Sequence, residues 1–503
     1  MLTNKTNLMK RIALIFLSVI SVISLYGRKV VLNPSVPVEK QLVYPNTTYV
    51  VKSAIDCKGI ELKIPSNCTL KIISGSLCNG TLVGNGTKLK NSAEKSLAVV
   101  VKGSWCAPLI KDSYFDTTVL TDDQIIGNIN ALQSDDIKNT IIICAKDYNC
   151  SITKSSRSVL ILRSRTKCTL KSTLSILPCE HPNYQIVQIC DVHDVELYGG
   201  MIVGDLLEHL YTLGSSHEWG HGISIKNAQR VKVSSVYVTR CIGDGIVIGG
   251  WQEPNTNVYE KAAKQVFLEN IISDDNRRQG LTISHADGVV VKNCWLTNTG
   301  MTKYTAPSAG LDIEPNAEEP WNQGVKNVLI KNCFFSGNKH RQFLSHGYFN
   351  SGEEDNIQNI IVQGCTFEGN CDVHTGGITF ISSTMESVTF CGGRDKISST
   401  TFNGCVFTGY NPLIFEGSMS KDGSGKTIGG VFETIKLKRC EIHSRESKEA
   451  IFSLSPSAGG KVINLIFDSC KIVCNDETAD RAIVLEQFNG RVTEINTKRI
   501  LQK

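Results

Sequence analysis

Val289-Val-Val-Lys-Asn-Cys294, Val328-Leu-Ile-Lys-Asn-Cys333, Ile360-Ile-Val-Gln-Gly-Cys365, Phe402-Asn-Gly-Cys405, Ile435-Lys-Leu-Lys-Arg-Cys440 and Leu465-Ile-Phe-Asp-Ser-Cys470 are versions of one segment. Each joins a short apolar run to a polar bend and a cysteine. Two earlier versions, Val231-Lys-Val-Ser-Ser-Val236 and Val266-Phe-Leu-Glu-Asn-Ile271, end in an aliphatic residue instead. Cysteine thus stands where Val or Ile can stand, as a small buried hydrophobe. A second short strand follows the bend, as in Cys294-Trp-Leu or Cys333-Phe-Phe, and then Gly or Asn. Short strands divided by turn residues, recurring every few tens of residues without helical periodicity, predict a solenoid whose coils stack in parallel. The fold class expected is all-β, a parallel β-helix with coils about 4.8 Å apart. The cysteines then form an internal column, and Asn270, Asn293 and Asn332 a second one at the bends.

Composition agrees with one long core. The chain has 503 residues, 41% hydrophobic and 20% charged, with 42 Gly against 13 Pro, which excludes disordered and collagen-like classes. A net charge of +5 on scattered basic residues gives no support to a nucleic-acid partner. Nineteen cysteines is an odd number in a protein too large to need staples, although Cys144 with Cys150 and Cys371 with Cys391 are candidate pairs. Lys5, Lys10 and Arg11 precede the apolar run Ile12 to Leu25, so residues 1–27 read as a secretory signal peptide and the protein as secreted or periplasmic. No later run reaches the roughly 18 apolar residues that a membrane span needs.

Before the main coils, Thr121-Asp-Asp and the stripe Ile125, Ile126, Ile129 and Leu132 predict one short helix, suited to capping the stack. The organisation expected is an N-terminal β unit over 28–115, the capping helix and first coils over 116–200, and the main parallel β-helix over 201–503. A monomer is expected.

A second repeat places the chemistry. His221-Gly-Ile-Ser-Ile, Asp244-Gly-Ile-Val-Ile, Gln279-Gly-Leu-Thr-Ile and Ala309-Gly-Leu-Asp-Ile align on glycine. Their aliphatics point inward; between them Ser224, Val247, Thr282 and Asp312 form an outward column, and two residues on stand Lys226, Gly249, Ser284 and Glu314. Asp312 and Glu314 therefore share one face, about 7 Å apart, beside a groove at Gly249. His285, Arg277 and Arg278 of the polar run Asp274 to Gln279, and Arg341 and His346 in the next coil, are expected around it. The insertions Gly249 to Lys264, Thr299 to Ala309 and Tyr348 to Asp355 are expected to wall it.

These coils, with the Gly220-His-Gly-Ile-Ser-Ile225 and Gly243-Asp-Gly-Ile246 segments, resemble the pectin-lyase-like right-handed parallel β-helix superfamily of secreted carbohydrate-active enzymes. The first segment is similar to the histidine motif of polygalacturonases, and Asp244 matches the second Asp of their Gly-Asp-Asp motif, whose first Asp is here Gly243. The order of the two motifs along the chain is reversed. The resemblance implies a polysaccharide partner.

Two mechanisms fit such residues. In β-elimination on a uronic-acid glycan, Arg277, Arg278 and Arg341 would neutralise the carboxylate, His221 or His285 would act as base, Asp244 would orient a His or Arg, and Asp312 and Glu314 would be candidate Ca²⁺ ligands. In inverting hydrolysis, paired carboxyls serve as acid and base. The incomplete polygalacturonase carboxylate set favours the lyase or epimerase chemistry. His285, Arg341, His346, Trp219 and Trp251 are the candidate substrate-binding residues. A third class is a non-catalytic glycan binder, with Trp219, Trp251, Trp295, Trp321 and Tyr304 as stacking platforms.

Overall fold

A computed structural model of the chain describes residues 27–250, 261–315, 323–345, 356–391, 399–409, 412–416, 431–443, 452–454, 461–474 and 491–501. Residues 1–26, which hold most of the segment read as a signal peptide, and Trp251, Trp321 and His346 lie outside these. No helix among the described residues is long and apolar enough to cross a membrane. The chain divides into two compact units, residues 1–145 and 146–503.

The first unit pairs its short strands in parallel, for example Thr48 with Thr69 and Thr69 with Lys88. Its helix, Asp122–Leu132, is capped by Thr121, whose hydroxyl accepts from the Gln124 N–H while the Gln124 side chain accepts from the Thr121 N–H. Ile125, Ile126, Ile129 and Leu132 are buried, and the helix packs on the Leu97–Cys106 strand of the same unit.

The second unit is the parallel β-helix that the repeats predict. A 22-stranded sheet and a second long sheet run along the stack, each strand hydrogen-bonded to its equivalent in the next coil. Five consecutive strands of the first sheet carry the site: β1 (Trp219–Lys226), β2 (Ile246–Gly249), β3 (Gln279–Ile283), β4 (Ala309–Ile313) and β5 (Arg341–Ser345). Their register puts Ser224 against Val247, Val247 against Thr282, Thr282 against Asp312 and Asp312 against Leu344. The glycine alignment is therefore the physical alignment.

Why glycine recurs there is visible in the packing. A Cβ built on Gly222, Gly245, Gly280 or Gly310 would lie 2.6, 2.8, 2.5 and 2.8 Å from the carbonyl oxygen of Gly245, Gly280, Gly310 and Gln342 respectively, one coil on. No side chain fits between main chains that close.

The interior is filled by Ile223, Ile225, Ile246, Ile248, Leu281, Ile283, Leu311 and Ile313, each at most 1% exposed. Further along, Phe335 stacks on Phe367 at 4.6 Å and Phe380 on Phe402 at 4.8 Å, which is the coil spacing itself. Cys294, Cys333, Cys365, Cys405, Cys440 and Cys470 form the expected buried column. They are more than small hydrophobes, because the thiols also bond main-chain carbonyls, as Cys333 Sγ does to Lys331 O at 3.4 Å and Cys440 Sγ to Lys438 O at 3.4 Å. Ser383 takes the position between Cys365 and Cys405 and bonds Ile381 O in the same way, at 3.1 Å.

The residue before this column is left-handed in coil after coil, with φ of 55° at Asn270, 53° at Asn293 and Asn332, and 62° and 63° at Gly364 and Gly404. That conformation selects Asn and Gly for the bend. The two suggested disulfides are corrected: Cys144 and Cys371 are free thiols.

Candidate functional site

Arg278 is the centre of the site, and its position follows from β3 starting one residue later. Its Nη1 lies 3.3 Å from Asp244 Oδ1, its Nη2 2.8 Å from Glu314 Oε2, and its Nε 3.8 Å from Glu218 Oε2, without a hydrogen bond. The guanidinium side chain is 11% exposed. Asp244, at the bend before β2, also accepts from the Thr282 hydroxyl at 3.0 Å. Asp312, on β4, accepts from Gln279 Nε2 at 2.7 Å through Oδ2, while the Gln279 Oε1 accepts from the Ala309 N–H at 2.9 Å. That second bond fixes which way the amide faces. Asp312 Oδ1 is buried with no hydrogen-bond partner.

The electrostatics separate these carboxyls. Burial pushes Asp244 up to about 6, Arg278 opposing and Glu314 adding to the rise. Asp312 is driven well above the ordinary carboxylate range, first by burial and then by the Glu314 charge, with Arg278 pulling the other way. Burial and the Glu314 charge both favour its protonated form in the folded protein. His221 is pushed well below its ordinary value by burial, with Lys226 and Arg278 adding to the effect, so it is a neutral imidazole. Its Nδ1 accepts from the Asp244 N–H at 3.2 Å, which places the ring proton on Nε2.

A stability consequence follows from the Asp244 shift. A carboxyl raised in the folded state favours its protonated form there. The stabilisation is full below the ordinary value of 3.8 and is lost as pH rises through about 6. The stability of wild type relative to Asp244→Asn should drop by on the order of 3 kcal/mol from pH 4 to pH 7, measured by urea melts. A difference that stays flat with pH would refute the assignment.

Of the residues expected from sequence, His221, Asp244, Arg278, Asp312 and Glu314 come together. One expectation needs correction: the Asp312 column is covered, with Ser224 at 1%, Thr282 at 3% and Asp312 at 0% exposure, so it is no open ridge. Gly249 leaves no groove either, since a Cβ there would meet Ser284 Oγ at 2.3 Å. Solvent reaches Glu314 (26%) and Glu218 (27%) instead.

Arg277 turns the other way. Its Nη1 donates to Ser216 O and His217 O at 3.0 and 2.7 Å, and the guanidinium lies over the Tyr211 ring. His285 Nδ1 accepts from the Gly324 N–H at 3.0 Å, at the far end of β3. Arg341 on β5 is bound to Asp372 and donates to His340 O. Trp219 is half exposed, with its ring edge-on to His221, while Trp251 and His346 are outside the described residues. The donors do not fit Ca²⁺, which takes six to eight converging oxygens: Asp312 Oδ2 is held by Gln279, and Glu314 by Arg278.

Glu218 is the site residue that sequence reasoning missed. It lies outside the aligned repeat, and its place is set by distant contacts. The Thr305 hydroxyl donates to Glu218 Oε1 at 3.0 Å, and the chain just before Glu218 is held by Arg277. Behind it runs a buried chain of rings. The Thr212 N–H donates to His217 Nε2 at 3.1 Å, which leaves the His217 proton on Nδ1, directed at His209 Nε2 2.8 Å away. His209 must then carry its proton on Nδ1, where Asp205 Oδ2 accepts it at 2.7 Å. Asp205 also accepts from Tyr184 and from the Cys179 N–H. Cys179, Asp205 and His209 place an S, an O and an N within 4.8 Å of one another.

No protein-family model matches the chain. Two curated relatives from Bacillus subtilis (strain 168) are similar to it: the uncharacterized protein YclG, 29% identical over 169 residues, and the SPbeta prophage-derived uncharacterized protein YorA, 26% identical over 247. The matches cover 33% and 46% of this chain and only 29% and 42% of the lengths of those relatives. Among solved structures, the tailspike gp49 of Acinetobacter baumannii bacteriophage Fri1, a capsular polysaccharide depolymerase, aligns with TM-score 0.46 at 11% identity, over 78% of this chain and 64% of its own. The tailspike of E. coli bacteriophage HK620 in complex with pentasaccharide gives 0.44 at 11%, over 78% and 80%. An alginate lyase from Paenibacillus sp. str. FPU-7 gives 0.36 at 9%, over 72% and 97%.

Proposed function

We propose that the protein hydrolyses a glycosidic bond of a polysaccharide with inversion, Asp312 acting as general acid and Glu314 as general base. The observation that carries this reading is the contrast between two carboxyls two residues apart: Asp312 on β4, buried with an unpartnered Oδ1 and its protonated form favoured, and Glu314 just past the end of β4, reached by solvent and held by Arg278. Two residues of extended chain set their Cα atoms about 7 Å apart, a spacing compatible with the room an inverting enzyme needs for its attacking water. Gln279 holds Asp312 Oδ2, so the transferable proton sits on Oδ1. Arg278 orients Glu314 through the bond from its Nη2. Because Asp312 is covered, the side chains over Oδ1 must part before it meets the leaving oxygen.

β-Elimination fits less well, since the His221 Nδ1 lone pair is taken by the Asp244 N–H and the ring proton sits on Nε2, which leaves no free nitrogen to act as base, and His285 Nδ1 faces the Gly324 main chain. The discriminating experiment is digestion of a panel of neutral and acidic polysaccharides, following reducing ends, unsaturated-uronate absorbance and the anomer first released. Reducing ends of inverted configuration, without absorbance, are expected. An absorbing product would make the protein a lyase. The burial of Asp312 favours the second reading, a non-catalytic glycan-binding β-helix, and binding without either product would establish it.

A further inference from the structure

The structure carries an inference about the substrate, which rests on the hydrolase reading and deepens it. We infer that the sugar bound at the cleavage point bears no carboxylate, being a neutral hexose or a hexosamine, and that Glu218 binds it.

Charge is the first ground. Glu218, Asp244 and Glu314 face Arg278, and Asp312 adds a fourth carboxyl to the cluster. Three acidic side chains thus surround one guanidinium, before Asp312 is counted. The groups that solvent reaches are Glu218 and Glu314, at 27% and 26%, rather than Arg278 at 11%. A uronate entering here meets like charges in a partly desolvated place, where they repel more strongly than in water.

Among the described residues, Arg277, Arg341, Lys303 and Lys339 are engaged elsewhere. Arg277 is spent on carbonyl oxygens and the Tyr211 ring, and Arg341 on Asp372. Lys303 donates to Leu206 O and Leu207 O, and Lys339 lies 3.5 Å above the Tyr304 ring. A uronate carboxylate would have to displace one of these bonds to find a donor.

What the site offers instead is acceptors beside an aromatic face. Glu218 Oε1 holds the Thr305 hydroxyl, while Oε2 stands 3.8 Å from Arg278 Nε, too far for a hydrogen bond, and so has lone pairs for a sugar hydroxyl or ammonium. The next residue, Trp219, exposes 52% of its surface and is steadied by its edge-on contact with His221, a platform for the apolar face of a pyranose.

The test applies the full-length chain to an array of neutral hexose, hexosamine and uronic acid oligosaccharides, then assays reducing ends on whatever binds. Binding to the neutral or hexosamine members is expected, and Glu218→Gln should weaken it about tenfold with an unchanged melting midpoint, as for one lost charge-assisted hydrogen bond. Binding and reducing-end release confined to uronic acid members would overturn the inference and leave the hydrolase reading standing. Binding without reducing ends from any class would overturn the hydrolase reading and this inference with it, as would an array that stays empty. Undiminished binding by Glu218→Gln would remove that residue from the site.

Discussion

Asp312→Asn lowers glycan hydrolysis by roughly a hundred- to ten-thousandfold, the span expected for loss of a general acid, and leaves the protein folded. The shape is kept, and Gln279 still has an oxygen to donate to, but no transferable proton remains at the position of Oδ1. Stability separates this from a folding defect. Asp312 is a carboxyl raised by burial, so wild type is stabilised at low pH and loses that contribution as pH climbs past 3.8 toward the folded value. Asparagine has no charge to bury, so the variant gains on wild type as pH rises. Denaturant melts at pH 4 and pH 8 read this difference, and reducing-end assays read the turnover. Full turnover in the variant would remove Asp312 from the chemistry and leave Glu218 and Glu314, the carboxyls that solvent reaches, to be tested as the acid–base pair.

Arg278→Met destabilises the protein by on the order of 3 to 5 kcal/mol, the range for removing one partner of a buried ion pair. Here the loss strands Asp244, at 1% exposure, and Glu314 together. Methionine fills most of the volume, so the cost is electrostatic rather than a cavity. Arg278→Lys keeps the charge without the fork that spans Asp244 and Glu314, and should fall between the two. The measurement is the urea midpoint at pH 7. If Arg278→Met melted with wild type, the cluster would not depend on its cation, and the roles given to Glu314 and Asp244 would fall together.

The stacking was legible because a parallel coil repeats its constraints in sequence. Glycine marks the close approach of neighbouring main chains, Asn and Gly mark the left-handed bend, and inward aliphatics mark the core. Aligning four Gly-anchored segments therefore gave the true register from Ser224 to Asp312. Burial was not legible. An outward position in a strand is exposed only if nothing packs over it, and that depends on side chains from other coils, which carry no period. The same cause hid Arg277, indistinguishable from Arg278 in the sequence yet bound to carbonyls of residues 216 and 217. Glu218 escaped for a related reason, since Thr305 and Arg278, which define its place, lie far along the chain.

The glycine seam also limits how such a protein can change. Where the next coil's carbonyl fills the space of one coil's missing side chain, nothing larger can enter a single position, so the frame is rigid to substitution. Two residues farther along each strand the slot is permissive, and Ser, Val, Thr, Asp and Leu already occupy it in successive coils. New reactivity can therefore be written one letter per coil on an unaltered backbone.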